Sequence, residues 1–232
     1  MKLRSVIVGC GRSGTGFLSN FLRQSGVQCG HEDVFDAYGF TGNNSLEHES
    51  SWYVVPYLEL LPKDVKLLHI TRSPYDVIKS FCRLGLFRNS SVPHITRGYS
   101  PKNILALAAS PKRFIVHSCH TFANRQFLKR HTSAFLQESE ESRAEAYWRE
   151  WNFKITDHAA NFDLEYLHVC IEDFASKKEE VADFLRVPVP SNVESLDRNL
   201  KRSYINEVPR EINLEKSTRD LMKRYGYFHS AS

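Results

Sequence analysis

The sequence predicts an α/β fold in three layers, in which helices flank a central, mostly parallel sheet. Apolar strand-like runs alternate with amphipathic helical patterns along the chain, which is typical of parallel sheets covered by helices. A glycine-rich turn joins the first of these strands to the first helix. The length of 232 residues suits one domain of ordinary size, so we expect a single domain over residues 1–232.

Three strand–helix pairs form the predicted frame, and in each an apolar run is followed by an amphipathic stretch. The pairs are residues 4–9 with 15–24, residues 65–71 with 74–84, and residues 164–174 with 176–185. Pro74 stands in the first turn of the second helix, where its missing N–H breaks no hydrogen bond. Ser176 is expected to cap the third helix.

The remaining segments are less regular. A long helix is predicted over residues 140–162, and a last amphipathic helix over 214–228 should end at Gly226. The residues at core spacing in the long helix are Tyr147, Trp148, Trp151 and Ile155. Residues 33–60 and 85–140 mix glycine, proline and small polar residues with short apolar patches, so we expect long loops with small helices there.

Composition places the chain among ordinary globular proteins, with 41% hydrophobic and 25% charged residues. The net charge of +4 is scattered along the chain, so no nucleic-acid partner is expected. The five cysteines form no C-x-x-C pair and no leader precedes the first strand, so we expect reduced thiols, no metal site and a cytoplasmic location. No apolar run reaches the roughly 18 residues of a transmembrane segment, and none is expected.

The stretch GCGRSGTG, residues 9–16, lies between the first predicted strand and helix and has the G-x-x-x-x-G spacing of a phosphate-binding loop. In such a loop, successive backbone N–H groups and the start of the helix point toward one anion. The candidate binding residues are Gly11, Arg12, Ser13, Gly14, Thr15 and Gly16. The alternative is a glycine-rich turn that binds nothing.

The loop lacks the lysine that nucleoside-triphosphate enzymes place after the second glycine, followed by a hydroxyl residue that holds Mg²⁺. Those two positions are occupied here by Thr15 and Gly16. We therefore expect the loop to bind a single phosphate without a metal, with Arg12 supplying the positive charge.

A second anion contact is predicted where the strand at residues 65–71 ends. Arg72 follows that strand, and ligands in open α/β sheets bind at the carboxyl ends of the strands. Ser80 lies two helical turns further on, on a similar face. Taken alone, the two residues would be a surface charge and a surface hydroxyl, but together with the glycine loop they form a second anion clamp.

These motifs resemble those of the P-loop sulfotransferases that use 3′-phosphoadenosine 5′-phosphosulfate. VGCGRSGTGFL is similar to the family's loop for the 5′-phosphosulfate, and HITRSPYDVIKSF is similar to its element for the 3′-phosphate. YWREWN, IEDF and RYGY extend the resemblance over most of the chain. It implies that residues 11–16 hold the 5′ side of the donor, that Arg72 and Ser80 hold the 3′-phosphate, and that no metal is needed.

Two positions depart from the family pattern. Gly16 stands where many relatives carry a hydroxyl residue, and Ile171 stands where many carry tyrosine. The first departure removes one donor to the 5′-phosphate, and the second puts one family contact in doubt. The weaker candidates are Lys201 and Arg202 for the 3′ side, and Glu172 and Asp173, expected at the end of the third strand and interpreted as structural.

The segment VQCGHED, residues 27–33, is expected to form a turn after the first helix and to carry the catalytic base. It resembles the setting of a catalytic glutamate in tyrosylprotein sulfotransferases, which implies that Glu32 is the base. His31 is the alternative, because some carbohydrate sulfotransferases use a histidine and imidazole titrates near neutral pH. Arg12 and the loop amides are expected to stabilise the leaving group.

The resulting hypothesis is sulfuryl transfer from 3′-phosphoadenosine 5′-phosphosulfate to a hydroxyl acceptor, expected to be a carbohydrate or a glycolipid. Residues 33–60 and 85–140 are expected to form the acceptor pocket. His94, His117 and His120 lie in the second stretch and are weaker candidates, because a lone histidine in a loop is more often a surface residue. The alternatives are a P-loop kinase, which should carry lysine after Gly14, and a nucleotide-binding module without catalytic activity.

Overall fold

A computed structural model of the protein describes four stretches of the chain. They are residues 2–43, 45–88, 111–191 and 212–227, and within them the side chains of 111–119 are not described. The chain groups into two compact units, Met1–Ser73 with Trp151–Ser232, and Pro74–Glu150. A single domain over the whole chain stays a prediction.

The first unit is built on a five-stranded sheet in which all neighbouring strands are parallel. The strands of the described residues are β1 (Ser5–Val8), β2 (Cys29–His31), β3 (Phe35–Asp36), β4 (Gly39–Phe40), β5 (His48–Ser50), β6 (Lys66–Thr71) and β7 (Tyr166–Cys170). The order across the sheet is β2-β5-β1-β6-β7, and β3 and β4 form a separate antiparallel pair. The parallel sheet confirms the predicted fold class.

Six helices lie within the described ranges. They are α1 (Thr15–Gln24), α2 (Pro74–Leu84), α3 (Pro111–His131), α4 (Glu140–Asn161), α5 (Phe174–Leu185) and α6 (Lys216–Arg224). The predicted bounds of α1 and α2 are confirmed, and α4 ends one residue earlier than predicted. α1, α5 and α6 belong to the first unit, α2 and α3 belong to the second, and α4 passes from the second into the first. None of these helices has both the length and the apolar character that crossing a membrane requires.

One face of the sheet packs on α1 and α5. The sheet residues in this core are Ile7, Leu68, Ile70 and Val169. Phe174, at the start of α5, meets Phe17 and Phe21 of α1 edge to face, with ring centroids 4.9 and 5.1 Å apart. Each large side chain buried in this way stabilises the fold by about 1.5–3 kcal/mol, so the two helices are held firmly on the strands.

The opposite face of the sheet is covered by the carboxyl-terminal half of α4. His69 of β6 is buried there, where it accepts a hydrogen bond from the Tyr166 hydroxyl (2.8 Å) and donates one to Asn152 Oδ1 (2.9 Å). Burial lowers the pKa of His69 to about 3, so the ring stays neutral. Trp151 donates to the carbonyl of Trp52 at 3.0 Å. Helices therefore lie on both faces of the sheet, as the sequence predicts.

The second unit has its own aromatic core. The Tyr147 ring of α4 lies 5.2 Å from the Phe81 ring of α2 and 5.7 Å from the Phe87 ring. Arg88 donates to Glu140 at 2.9 Å across the same unit. Tyr147 is fully buried, which confirms the core position predicted for it.

The third predicted strand is shorter than the sequence indicates. β7 ends at Cys170, and Ile171–Asp173 form a 3-10 turn that leads directly into α5 at Phe174. The acidic pair predicted at the strand end therefore lies in this turn. The helix starts at Phe174 because that ring packs on α1, so the predicted cap is also wrong: the Ser176 hydroxyl donates to the carbonyl of Asp173 at 2.8 Å.

Residues 33–60, predicted as a long loop, contribute to the sheet. β5 lies between β2 and β1 and pairs with both. It consists of only three residues, His-Glu-Ser, so it has no apolar alternation from which a strand could be predicted. In the second stretch, 85–140, residues 89–110 with His94 lie outside the described residues, and the rest includes the long helix α3, which the sequence did not predict.

A substitution at Gly9, the first residue of the glycine loop, tests how closely β1 and β6 pack. A Cβ atom at Gly9 would lie 2.2 Å from the backbone oxygen of Ile70. We expect Gly9→Ala to lower the free energy of unfolding by about 2–3 kcal/mol, because backbone has to move to admit the methyl group. The measurement is urea-induced unfolding followed by circular dichroism.

The control is Asn20→Ala on the exposed face of α1, where alanine favours the helix and stability should stay the same or rise slightly. A change in the free energy of unfolding of less than about 0.5 kcal/mol for Gly9→Ala would show that Gly9 does not lie so close to the Ile70 backbone.

Candidate phosphate-binding site

The glycine loop connects β1 to α1 within the first unit, as predicted. Gly14 is the N-cap residue of α1, and no described side chain caps the helix. The amide of Ser13 donates to the carbonyl of Cys10 at 3.1 Å, which closes the turn of the loop. An uncapped helix start directs N–H groups and a partial positive charge toward one place, where an anion can bind.

The path of the loop requires a glycine at position 14. Gly14 has a φ of 115°, a conformation that other residues rarely adopt, and a Cβ atom there would lie 2.9 Å from the Ile171 side chain. Ile171 is buried. Ile171, which stands where many members of the resembled family carry tyrosine, therefore packs against the glycine loop.

The side chains of the glycine loop differ in their exposure to solvent. Arg12 is exposed and has a left-handed backbone with a φ of 72°. Ser13 and Thr15 are buried, and the Thr15 carbonyl accepts a hydrogen bond from Ser50 Oγ at 2.7 Å. Of the other predicted residues, Gly11 is buried, whereas Gly14 and Gly16 are half-buried. The side-chain donor that faces solvent in this loop is thus Arg12.

His31 lies directly beside the glycine loop. Its Nδ1 donates to the carbonyl of Ser50 at 2.9 Å, so in the neutral ring the lone pair is on Nε2. Nε2 lies 3.1 Å from the position that a Cβ atom at Gly16 would occupy. The imidazole therefore fills the space that a side chain at position 16 would need, and its unprotonated nitrogen faces the start of α1.

Glu32 follows His31 in a strained backbone conformation. Its φ is 63°, and it and Arg12 are two of the four non-glycine residues with positive φ in the described ranges. Such conformations concentrate at functional sites. The Glu32 amide donates to Ser50 at 3.3 Å, and none of the contacts described for Glu32 is with the glycine loop. The predicted turn is therefore partly wrong, because Cys29–His31 form the edge strand β2 and the chain turns only after it.

Glu49 holds the turn after β2, a role that no sequence pattern indicated. Glu49 is fully buried in β5, and its Oε1 accepts hydrogen bonds from the amides of Asp33 (3.0 Å) and Val34 (3.3 Å). A Cβ atom at Gly30 would lie 2.0 Å from Glu49 Oε2, so a larger residue there would displace this buried carboxyl group. Burial raises the pKa of Glu49 to about 7.

Arg72 lies next to the same loop. It follows the last residue of β6 at the carboxyl end of the sheet. Burial raises the pKa of Cys10 to about 12, and the positive charge of Arg72 acts on that thiol in the opposite direction. At neutral pH the Cys10 thiol is protonated, so it adds no negative charge to an anion site.

Other predicted residues do not join this group. Ser80 is buried on α2 in the second unit, so its pairing with Arg72 stays a prediction. Lys201, Arg202 and the side chain of His117 lie outside the described residues, and His120 is exposed on α3. Within the described part of the chain, no group of three His, Cys, Asp or Glu residues could hold a metal ion.

The comparisons with known proteins support the fold. No protein-family model matches the chain, and no curated protein matches it. Among solved structures it is similar to one described as "Sulfotransferase Domain from the Curacin Biosynthetic Pathway", with a TM-score of 0.51 and 13% sequence identity. The match covers 98% of this chain and 99% of that chain. At this identity the likeness shows a shared α/β fold.

The buried carboxyl group of Glu49 should make stability depend on pH. Between about pH 4.5 and 7 the folded protein retains a proton that the unfolded chain releases, so the wild type loses stability as the pH rises. Glu49→Gln removes this titration. The free energy of unfolding of the variant, relative to the wild type, should rise by up to about 3 kcal/mol across this range, measured by urea unfolding at a series of pH values.

Glu47→Gln serves as the matched control, because Glu47 is exposed and pairs with Arg4 at 3.3 Å. Its curve should run nearly parallel to that of the wild type. A parallel curve for Glu49→Gln as well would show that Glu49 titrates as an ordinary exposed carboxyl group.

Proposed function

We propose that the protein is a sulfotransferase that moves a sulfuryl group from 3′-phosphoadenosine 5′-phosphosulfate to a hydroxyl acceptor. The observation that carries this proposal is the glycine loop at the uncapped start of α1, which has an exposed arginine and lacks the lysine of triphosphate-binding loops. The similarity in fold to a sulfotransferase domain supports the same class of reaction.

The residues of the loop suit the 5′-phosphosulfate of such a donor, which supplies the sulfuryl group when it is bound. The N–H groups at the start of α1 would bind its oxygens, and Arg12 would balance its charge. Arg72, whose charge acts on Cys10 of the loop, would take the 3′-phosphate. The contribution of Ser80 to that phosphate is supported by the sequence pattern alone.

Sulfuryl transfer also needs a proton acceptor. As the acceptor oxygen forms its bond to sulfur, the bond from sulfur to the phosphate oxygen breaks and the hydroxyl proton must leave. We favour Nε2 of His31 as the base, because it is unprotonated in the neutral ring and faces Gly16. Glu32, which the sequence resemblance favours, is the alternative. Arg12 and the loop amides would stabilise the charge on the departing phosphate.

The proposed acceptor is a hydroxyl group of a carbohydrate or glycolipid. One structural feature supports this choice. The hairpin β3–β4 follows the turn that contains Glu32, and its residues Tyr38 and Phe40 are 79% and 45% exposed. Exposed aromatic rings combine a large apolar face with little loss of side-chain entropy, which suits the apolar face of a sugar ring.

Donor binding tests the first part of the proposal. Adenosine 3′,5′-bisphosphate should raise the melting temperature of the wild type, whereas ATP with Mg²⁺ should not. Arg12→Ala and Arg72→Ala should each weaken bisphosphate binding roughly 10- to 100-fold, since each removes charge-assisted hydrogen bonds. Arg4→Ala, at an exposed ion pair with Glu47, is the control and should bind normally. Preference for ATP with Mg²⁺ would favour a kinase.

Transfer of labelled sulfate tests the base. His31→Asn keeps a donor for the Ser50 carbonyl but removes Nε2, so kcat should fall about 10²- to 10⁴-fold while bisphosphate binding persists. Glu32→Gln, one residue away, is the matched comparison and should retain most of the activity. The opposite result would assign the role to Glu32, and full activity in both variants would exclude this turn as the source of the base.

A further inference from the structure

Thr71 and Ser73, the residues on either side of Arg72, are both held by hydrogen bonds. Before it, Thr71 Oγ1 bonds with His168 Nε2 at 2.9 Å and with the Tyr227 hydroxyl at 3.0 Å. After it, the amide of Ser73 donates to Glu172 Oε1 at 2.8 Å. The Thr71 side chain and the Ser73 amide, on either side of Arg72, are therefore tied to residues from distant parts of the first unit.

Glu172 and Tyr227 connect these two attachments. The Tyr227 hydroxyl also lies 3.4 Å from Glu172 Oε2, the second oxygen of the carboxylate that receives Ser73. The chain from Thr71 through Tyr227 and Glu172 to Ser73 thus forms a closed bracket around Arg72. We call these four residues the Arg72 bracket.

The end of α6 places Tyr227 in the Arg72 bracket. Gly226 has a φ of 79°, and the amide of Tyr227 donates back to the carbonyl of Met222 at 3.1 Å, which turns the chain sharply as the helix ends. Tyr225 is anchored to α4 and β7, since its hydroxyl donates to the Asn152 carbonyl at 3.1 Å and its own carbonyl accepts from Cys170 Sγ at 3.1 Å. The anchored end of α6 therefore fixes the position of the Tyr227 hydroxyl.

We propose that Tyr227 and Glu172 are positioning residues that fix Arg72 for the 3′-phosphate of the donor nucleotide. This inference rests on the proposed function, because it concerns the same donor site. A long arginine side chain gains affinity when its backbone is already fixed, since less conformational freedom is lost on binding. The effect is specific to the 3′-phosphate, because the 5′ side is bound by the glycine loop on another strand.

The test compares two nucleotides that differ only in the 3′-phosphate, adenosine 3′,5′-bisphosphate and adenosine 5′-monophosphate, by isothermal titration calorimetry. The wild type should bind the bisphosphate more tightly. Tyr227→Phe removes only the hydroxyl group and should weaken bisphosphate binding roughly three- to tenfold while leaving the monophosphate affinity unchanged. Tyr166→Phe is the matched control, since its hydroxyl bonds with His69 and not with the Arg72 bracket. It should leave the ratio of the two affinities unchanged.

A second pair of variants covers the case in which Tyr227→Phe is too unstable to assay. Glu172→Gln keeps an oxygen that can accept from Ser73, so it should retain more of the preference for the bisphosphate than Glu172→Ala does. An unchanged affinity ratio in Tyr227→Phe, or in Glu172→Ala, would overturn the positioning role while leaving the donor site intact. A wild type without any preference would instead overturn the proposed donor, and this inference with it.

Discussion

The parallel pairing of five strands is the constraint on which the candidate site depends. Parallel strands have their carboxyl ends at one edge of the sheet, and this edge is where ligands of open α/β sheets bind. Val8 pairs with His69, His31 with Ser50, and Thr71 with Cys170. The glycine loop, the turn after β2, Arg72 and the turn after β7 consequently all emerge at the same edge. A different register between β1 and β6 would separate Arg72 from the loop.

The sequence was sufficient where an element carries its own local pattern. The bounds of α1 and α2 and the buried strand before Arg72 follow from apolar periodicity, and the glycine loop follows from its spacing between a strand and a helix. The glycine loop lies at the start of α1, as predicted, while the roles of Arg12, Arg72 and Glu32 stay predictions. The family resemblance also made His31 a candidate, although it could not indicate that His31 lies against Gly16.

The rest depends on contacts between residues far apart in the chain, which no local period encodes. β5 is a strand because it has neighbours on both sides, and Glu49 acts on a turn 15 and 16 residues before it in the sequence. Tyr227 reaches Thr71 across 156 positions. α5 begins early because Phe174 packs on α1, so its start is set by the partner helix and overrides the local cap signal of Ser176.

The His31 ring occupies the space beside Gly16, so the residues at these two positions constrain each other. A methyl group at position 16 would already press on Nε2 of the ring, so a bulkier residue there calls for a smaller one at position 31. Substitutions at the two positions are therefore coupled. A hydroxyl residue at position 16 would push the imidazole away from the start of α1, so a substitution in the loop would also change which group lies beside it.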